Sequence, residues 1–315
     1  MADNFIKDTL KDILRHTHNL GIFEMLKIAG TVERTDIVSV DTDKVVIFIA
    51  NTKGPVPEFV DSTIGWNRLP VLDGYLKMFN DANDTVEVIT EERNGEEAPT
   101  EIALKGADGN TANFRFMPAS IIDAQLGNIE YLGSEDYDVS IVPTQKNLKD
   151  LTAINGILGQ YESMFIPKVE DGALYFHVGD AGADRSKIKI ADVAGGTITR
   201  DFSWPLDVIL KILRLGDGSN VSLNINNQGV LKIVVDSGIG EYKYYLPAIS
   251  SFYTKQLDKI VNKVPNESRT PAGFHLGNEG LDFLKNKDSY YHYPYGLYSA
   301  GHAHLDITKS HADEP

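Results

Sequence analysis

The sequence predicts an α+β chain in which one module, two short helices on antiparallel sheet, is used twice. Three observations carry that expectation. A helix runs into a period-two meander between Phe202 and Ile249, the same elements occur in the same order earlier in the chain, and no strand–helix–strand series of the kind that builds a parallel sheet is found.

The stretch from Phe202 to Ile249 sets the pattern. Pro205 suits the first turn of a helix, where its missing N–H costs nothing, and Leu206, Ile209, Leu210 and Leu213 then recur at the helical period as one apolar stripe. Asp207, Lys211 and Arg214 take another face, and Gly216 with Gly218 ends the helix. Val221, Leu223 and Ile225 alternate with polar residues, Asn226 to Gly229 turns the chain, and Leu231, Ile233 and Val235 alternate again. A third strand, Glu241–Leu246, closes at Pro247.

The first half repeats these signals. Residues 5–20 read as an amphipathic helix with Ile6, Leu10, Ile13, Leu14 and Leu20 apolar and Gly21 as its stop; residues 145–158 read the same way and stop at Gly159. Leu10-Lys11-Asp12 matches Leu148-Lys149-Asp150 at an offset of 148 − 10 = 138, and Leu20-Gly21 matches Leu158-Gly159 at the same offset. A helix at Leu69–Phe79 follows Trp66 as Leu206–Leu213 follows Trp204, with Pro70 and Pro205 lying 135 apart. Residues 114–119 (FRFMPA) match 242–248 (YKYYLPA), with Pro118 and Pro247 lying 129 apart. In isolation any helix on a meander resembles another. Matches in constant order with slowly drifting offsets favour duplication.

The remaining strand candidates of the first half are Ile22–Ala29, Thr35–Val40, Lys44–Ala50, Thr85–Glu91, Glu101–Lys105 and Thr111–Met117, with hairpin signals at Asn94-Gly95, Asp108-Gly109 and, in the second half, Asp171-Gly172. Ile129–Pro143, rich in acids with Tyr131, Leu132 and Tyr137 among them, reads as a surface connector. The organisation expected is therefore a module at 1–133 that includes the start of the connector, a second at 134–255, and a linker and tail at 256–315.

Composition narrows the function. With 42% apolar and 24% charged residues the chain belongs to the globular class. It has no cysteine, which excludes disulfides, cysteine-ligated zinc and thiol nucleophiles and fits a reducing compartment. No apolar run approaches the ~20 residues of a membrane span, and MADNFIKDTL lacks the basic and apolar regions of a signal peptide. The net charge of −15 argues against a nucleic-acid partner unless the basic residues are segregated. His302, His304, Asp306 and His311 offer a metal-ligand set in the tail, whereas the glycines at 179, 182, 195 and 196 lack the Lys-Ser/Thr of a phosphate loop and no serine has a Gly-x-Ser-x-Gly setting. Nothing reads as catalytic, and no metal or cofactor is expected.

The repeated order of helix, meander, helix, meander resembles the DNA sliding clamps, the processivity rings of replicative polymerases. The resemblance rests most on Pro205, Leu210-Lys211, the Gly229 hairpin and Tyr244-Tyr245-Leu246-Pro247-Ala248-Ile249, which is similar to the Tyr-Tyr-Leu-Ala-Pro-Lys-Ile ending of the eukaryotic and archaeal clamps with Pro and Ala exchanged. Chain length and the minimal first strand look more like the T4-type bacteriophage clamps. It covers about residues 4–250 and leaves 256–315 unexplained.

The resemblance implies a duplicated sliding-clamp module in a head-to-tail ring, a non-enzymatic processivity factor for DNA replication. A homotrimer is expected, because six modules are needed and this chain supplies two. It also implies duplex DNA held topologically without base readout, a DNA polymerase and a clamp loader as partners, no membrane, and a cytoplasmic location (the host's cytoplasm if phage-encoded). The DNA-facing residues would be Lys7, Lys11 and Arg15, with His18, on the first helix, Arg68 and Lys77 about the second, Lys146 and Lys149 on the third, and Lys211 and Arg214 on the fourth. Acids concentrate instead in the meanders and connector, at Glu87, Glu91, Glu92, Glu96, Glu97 and Glu101, then Glu130, Glu135, Asp136 and Asp138. The alternative for any one helix is a solvated face of pairs such as Asp8–Lys11 and Asp12–Arg15. The partner pocket would lie between Tyr131 and Leu132 of the connector and Tyr245, Pro247, Ala248 and Ile249 of the last strand. Leu281, Phe283 and Leu284 of the tail resemble the short peptides that phage polymerases use to grip a clamp, or form a turn on their own domain. Two other functions stay open: a β-rich virion-type assembly protein, and a hydrolase using the histidine-rich tail.

Overall fold

The computed structural model describes residues 5–42, 45–93, 96–127, 129, 133–179, 182–216, 220–250, 269–270 and 273–274. From the N-terminus, α1 (Phe5–Arg15) and a 3-10 turn (His18–Leu20) lead into β1 (Leu26–Gly30), β2 (Thr35–Val40), β3 (Ile47–Thr52) and β4 (Thr63–Trp66). Then follow α2 (Leu69–Met78), β5 (Thr85–Arg93), β6 (Glu96–Lys105), β7 (Thr111–Arg115), β8 (Met117–Pro118) and α3 (Ala119–Leu126). The second half holds β9 (Val139–Ile141), α4 (Gln145–Leu158), β10 (Met164–Glu170), β11 (Ala173–Val178), β12 (Ser186–Asp192) and β13 (Phe202–Pro205). It ends with α5 (Leu206–Leu213), β14 (Val221–Ile225), β15 (Val230–Asp236), β16 (Gly240–Pro247) and β17 (Ile249–Ser250).

Local chemistry fixes these elements. α4 starts at Thr144, whose hydroxyl accepts from Asn147 N–H while the Asn147 side chain returns to Thr144 N–H. Asp171 (φ 51°) and Gly172 (φ 74°) make the left-handed pair that a two-residue hairpin between β10 and β11 requires. α5 buries Leu206, Ile209, Leu210, Ile212 and Leu213, a stripe that cannot exist in water alone and fixes the helix on the sheet.

The sheets show the repeat directly. One runs β8-β4-β1-β2-β3-β16-β15-β14-β9, a second β12-β11-β10-β13-β17, and a third β5-β6-β7. A five-stranded platform thus occurs in each half, and a three-stranded meander follows each second helix. The β3–β16 ladder makes the first platform continuous with the meander of the second half. Ladder register also corrects one match read from the sequence. Met117 sits opposite Gly65 and Ile249 opposite Ser203, next to Trp66 and Trp204 respectively, so the corresponding positions lie 249 − 117 = 132 apart, and Pro118 does not correspond to Pro247. α3 was not foreseen, and Val139–Ile141 of the expected connector is a strand paired with β14.

Because strand side chains alternate, the nine-stranded sheet has two coats. Phe48, Ala50, Tyr242, Tyr244 and Leu246 point into the main core beneath α1, α2, α4 and α5. Ile47 and Tyr245 point the other way, into a second cluster with Met117, Ile122 and Leu126 under α3. Four helices therefore cover one side and α3 the other.

Candidate nucleic-acid interface

α1 packs on α2 and α4 on α5, so the expected basic residues lie on one side of the molecule. They divide by what their side chains do. Lys7 is corrected outright. It is 4% exposed, and its ammonium donates to the Asp81 carbonyl at 3.0 Å, because the loop after α2 closes over a helix face that would be polar on α1 alone. Lys11 bonds Asn80, Arg15 donates to the Leu215 carbonyl at 3.2 Å, and Arg214 donates to Thr152 Oγ1 at 2.9 Å. These cations staple helices together while keeping part of their surface open. Lys77 pairs with Asp73 and Lys146 with Asp150 along their own helices. Lys149, Lys211 and Arg68 are exposed, and among the described residues none has a hydrogen-bond or ion-pair partner.

Arg68 precedes α2 in the left-handed region (φ 52°). With His18 of the 3-10 turn and Lys211 of α5 it lines a cleft of about 720 Å³ whose other walls include Ile22, Met25 and Val208. The cleft draws a first-half loop and a second-half helix to the same side.

The two halves are tied beneath this surface. Asp12 of α1 accepts from the Tyr242 hydroxyl and the Ser237 hydroxyl, each at 2.6 Å, and His16 stacks on the Tyr242 ring at 4.0 Å. Burial alone would raise the Asp12 carboxyl, but hydrogen bonds from His16, Ser237 and Tyr242 outweigh it and hold the group below its ordinary value. The same burial, with the Asp12 charge beside it, pushes the Tyr242 hydroxyl well up, so it stays a donor.

Only some of the residues expected to line a partner pocket are described. Tyr131 and Leu132, like Leu281, Phe283 and Leu284 of the tail, the tail histidines and the Asn94-Gly95 turn, lie outside the described residues. Tyr245 faces the second cluster, its hydroxyl donating to Glu135 at 2.9 Å, and Lys232 bonds the same carboxylate. Burial raises that carboxyl, but the bonds from Lys232 and Tyr245 prevail and lower it. Pro247 is buried and Ile249 is 40% exposed. Ala248 is corrected: it packs against the main core, on the opposite side from Tyr245, as the period of two requires. Met117, Ile122, Leu126 and Ile129 of the same cluster were not anticipated. Ile122 and Leu126, four apart between Pro118 and Gly127, carried the signal.

No family model matches the chain, and no curated protein matches it in sequence. Solved structures do. The structure of A. fulgidus PCNA with the C-terminal region of FEN-1 matches with a TM-score of 0.58 at 14% identity, over 77% of this chain and 96% of that one. PCNA from Thermococcus kodakaraensis matches at 0.57 and 15%, over 77% and 97%, and a PCNA2–PCNA3 complex from Sulfolobus tokodaii at 0.53 and 18%, over 77% and 96%. The chain has the PCNA sliding-clamp fold. On this clamp fold the duplicated module is the fold's own repeat, and the 77% coverage leaves a segment that those chains do not match.

Proposed function

We propose that this chain is one subunit of a ring that encircles duplex DNA and tethers a DNA polymerase and other partners for processive synthesis. The observation that carries the reading is the segregation of charge. In a chain of net charge −15, helices α1, α2, α4 and α5 lie on one side of the sheets and bring Arg68, Lys149 and Lys211 there without a partner among the described residues. Such a surface attracts a polyanion without gripping any one base.

Three copies joined head to tail give six modules. The free edge β12 of the second platform stands where β3 stands in the first, and β7 stands where β16 stands, so β12 of one copy joins β7 of the next. Partner peptides of polymerase or loader would seat beside Tyr245, Pro247 and Ile249; A. fulgidus PCNA is bound by a protein's C-terminal region, an occupant of that kind. The tail residues Leu281, Phe283 and Leu284 remain a proposed clamp-binding peptide. A phage origin and a cytoplasmic site of action belong to the same proposal.

The test is topological. Loaded onto nicked circular DNA, the protein should remain bound and be lost when the circle is linearised. Equal retention on linear and circular DNA would reject encirclement.

A further inference from the structure

The two platforms can be superimposed residue by residue on the face turned away from α1, α2, α4 and α5. Trp66 opposes Leu26 and Trp204 opposes Phe165, so Gly65 and Lys27 of the first platform correspond to Ser203 and Ile166 of the second. By the same register Met25 corresponds to Met164, and Met117 to Ile249. In the first platform this face is covered by α3. Ile122 and Leu126 join Met25 and Met117 in one apolar cluster, Lys27 pairs with Asp123 of α3 at 2.6 Å, and a Cβ on Gly65 would fall 2.7 Å from that of Ile122. In the second platform Met164, Ile166 and Ile249 belong to neither apolar cluster of the described residues, and Ile249 is 40% exposed.

α3 follows directly from the strand that carries Met117. The strand that carries Ile249 leads in the same way into residues 251–264, which lie outside the described residues. Their sequence has the spacing of α3. Tyr253, Leu257 and Ile260 (i, i+4, i+7) match Ile122, Leu126 and Ile129 at an offset of 253 − 122 = 131, and Val261 and Val264 extend the stripe up to Pro265. The ion pair is exchanged on both sides at once: Ile166 stands for Lys27, and at the same offset Thr254 stands for Asp123. Ser203 in place of Gly65 holds a cover further from the sheet, and Tyr253 is longer than Ile122.

We infer that residues 251–264 of this chain cover the second platform as an amphipathic helix seated on Met164, Ile166 and Ile249. A single helix of that length is marginal in water and needs an apolar seat. The tether at Ser250, whose strand pairs with β13, raises the local concentration of this segment above that of any separate partner. The inference does not depend on a ring, and its failure would leave the clamp reading standing.

Because the chain has no cysteine, paired cysteines in the full chain test the seat. Ser203→Cys with Tyr253→Cys, the counterparts of Gly65 and Ile122, should form a disulfide within one chain on mild oxidation. Ser203→Cys with Lys255→Cys, which lies on the opposite face of the helical wheel, should stay reduced. Equal crosslinking of the two pairs, or of neither, would overturn the proposal, as would a bond formed between chains. Hydrogen exchange needs no cysteine. Amides of residues 253–261 should be protected in the unmodified chain, and Leu257→Asp should speed their exchange about tenfold or more while β15 and β16 keep their protection. Amides that exchange freely in the unmodified chain would overturn it too.

Discussion

The helix pair of the first half and that of the second carry similar charges and use them differently. α1 is fastened down: Lys7 and Lys11 reach the loop after α2, Arg15 reaches the end of α5, and Asp12 is bound by residues of the β15–β16 turn and β16. α4 is fastened mainly by apolar contacts through Leu148, Leu151 and Leu158 and by its own cap, and Lys149 has no partner among the described residues. The tryptophans repeat the contrast. Trp204 donates its indole N–H to the Leu246 carbonyl at 2.9 Å, whereas the buried Trp66 indole N–H has no partner among the described residues. Duplication copied the elements and left each copy free to commit its polar groups separately. Charge on the first pair serves mostly the fold, with Arg68 the exception, whereas the second pair ties down Lys146 and Arg214 and leaves Lys149 and Lys211 open.

Asp12 and Asp150, which occupy corresponding places on α1 and α4, should separate most widely. Asp12→Ala strands the Tyr242 and Ser237 hydroxyls and should lower stability by about 3 kcal/mol in urea unfolding. Asp150→Ala, which removes only an exposed pair with Lys146, should stay within about 0.5 kcal/mol. Equal losses would erase the contrast.

Reversing the free cations should act on DNA rather than on folding. Lys149→Glu with Lys211→Glu should cut retention on circular DNA by about 10- to 100-fold at physiological salt and flatten its salt dependence. Lys7→Met should leave retention unchanged and cost about 1 kcal/mol of stability, since it removes a buried bond to Asp81. Retention that falls with Lys7→Met and survives the double reversal would exchange the roles of the two helix pairs.

Acid sharpens the same difference. The Asp12 carboxyl is held below its ordinary value in the fold, so the stability it contributes is complete above that value. It is lost as pH falls through the lower, folded one. Stability measured across that window should decline less steeply in Asp12→Asn than in the parent chain, and a parallel decline would remove Asp12 from the account. The smallest effect belongs to the tryptophans: Trp204→Phe should cost about 1 kcal/mol more than Trp66→Phe, because only the former breaks a buried hydrogen bond.

What could be read from the sequence follows the range of the forces involved. α4 and α5 were delimited correctly because Gly159 and Pro205 mark an end of each locally, and β2 because Thr35–Val40 is rich in β-branched residues. β4 and β13 escaped, being four residues long and held by pairing with β1 and β10 rather than by any pattern of their own. Lys7 misled because a helical wheel knows only its own helix, and the loop at Asp81 that covers it arrives from 74 residues away. The segregation of basic helices from acidic meanders was legible, since it needs only composition by element. Which of those cations remain free was not, since that depends on Asn80, Thr152 and Leu215, contacts set by packing.

The β3–β16 ladder also has a consequence for synthesis. Ile47 and Tyr245, paired in the finished molecule, are 245 − 47 = 198 residues apart. At ~5–20 residues per second, β3 waits roughly 10 to 40 s on the ribosome before its partner exists. During that interval the first platform ends in a bare strand carrying Ile47, Phe48 and Ile49, an invitation to pair with a neighbouring nascent chain. A premature stop anywhere before β16 makes that exposure permanent, so truncated products of this gene should be found among aggregates rather than as half-sized folded domains.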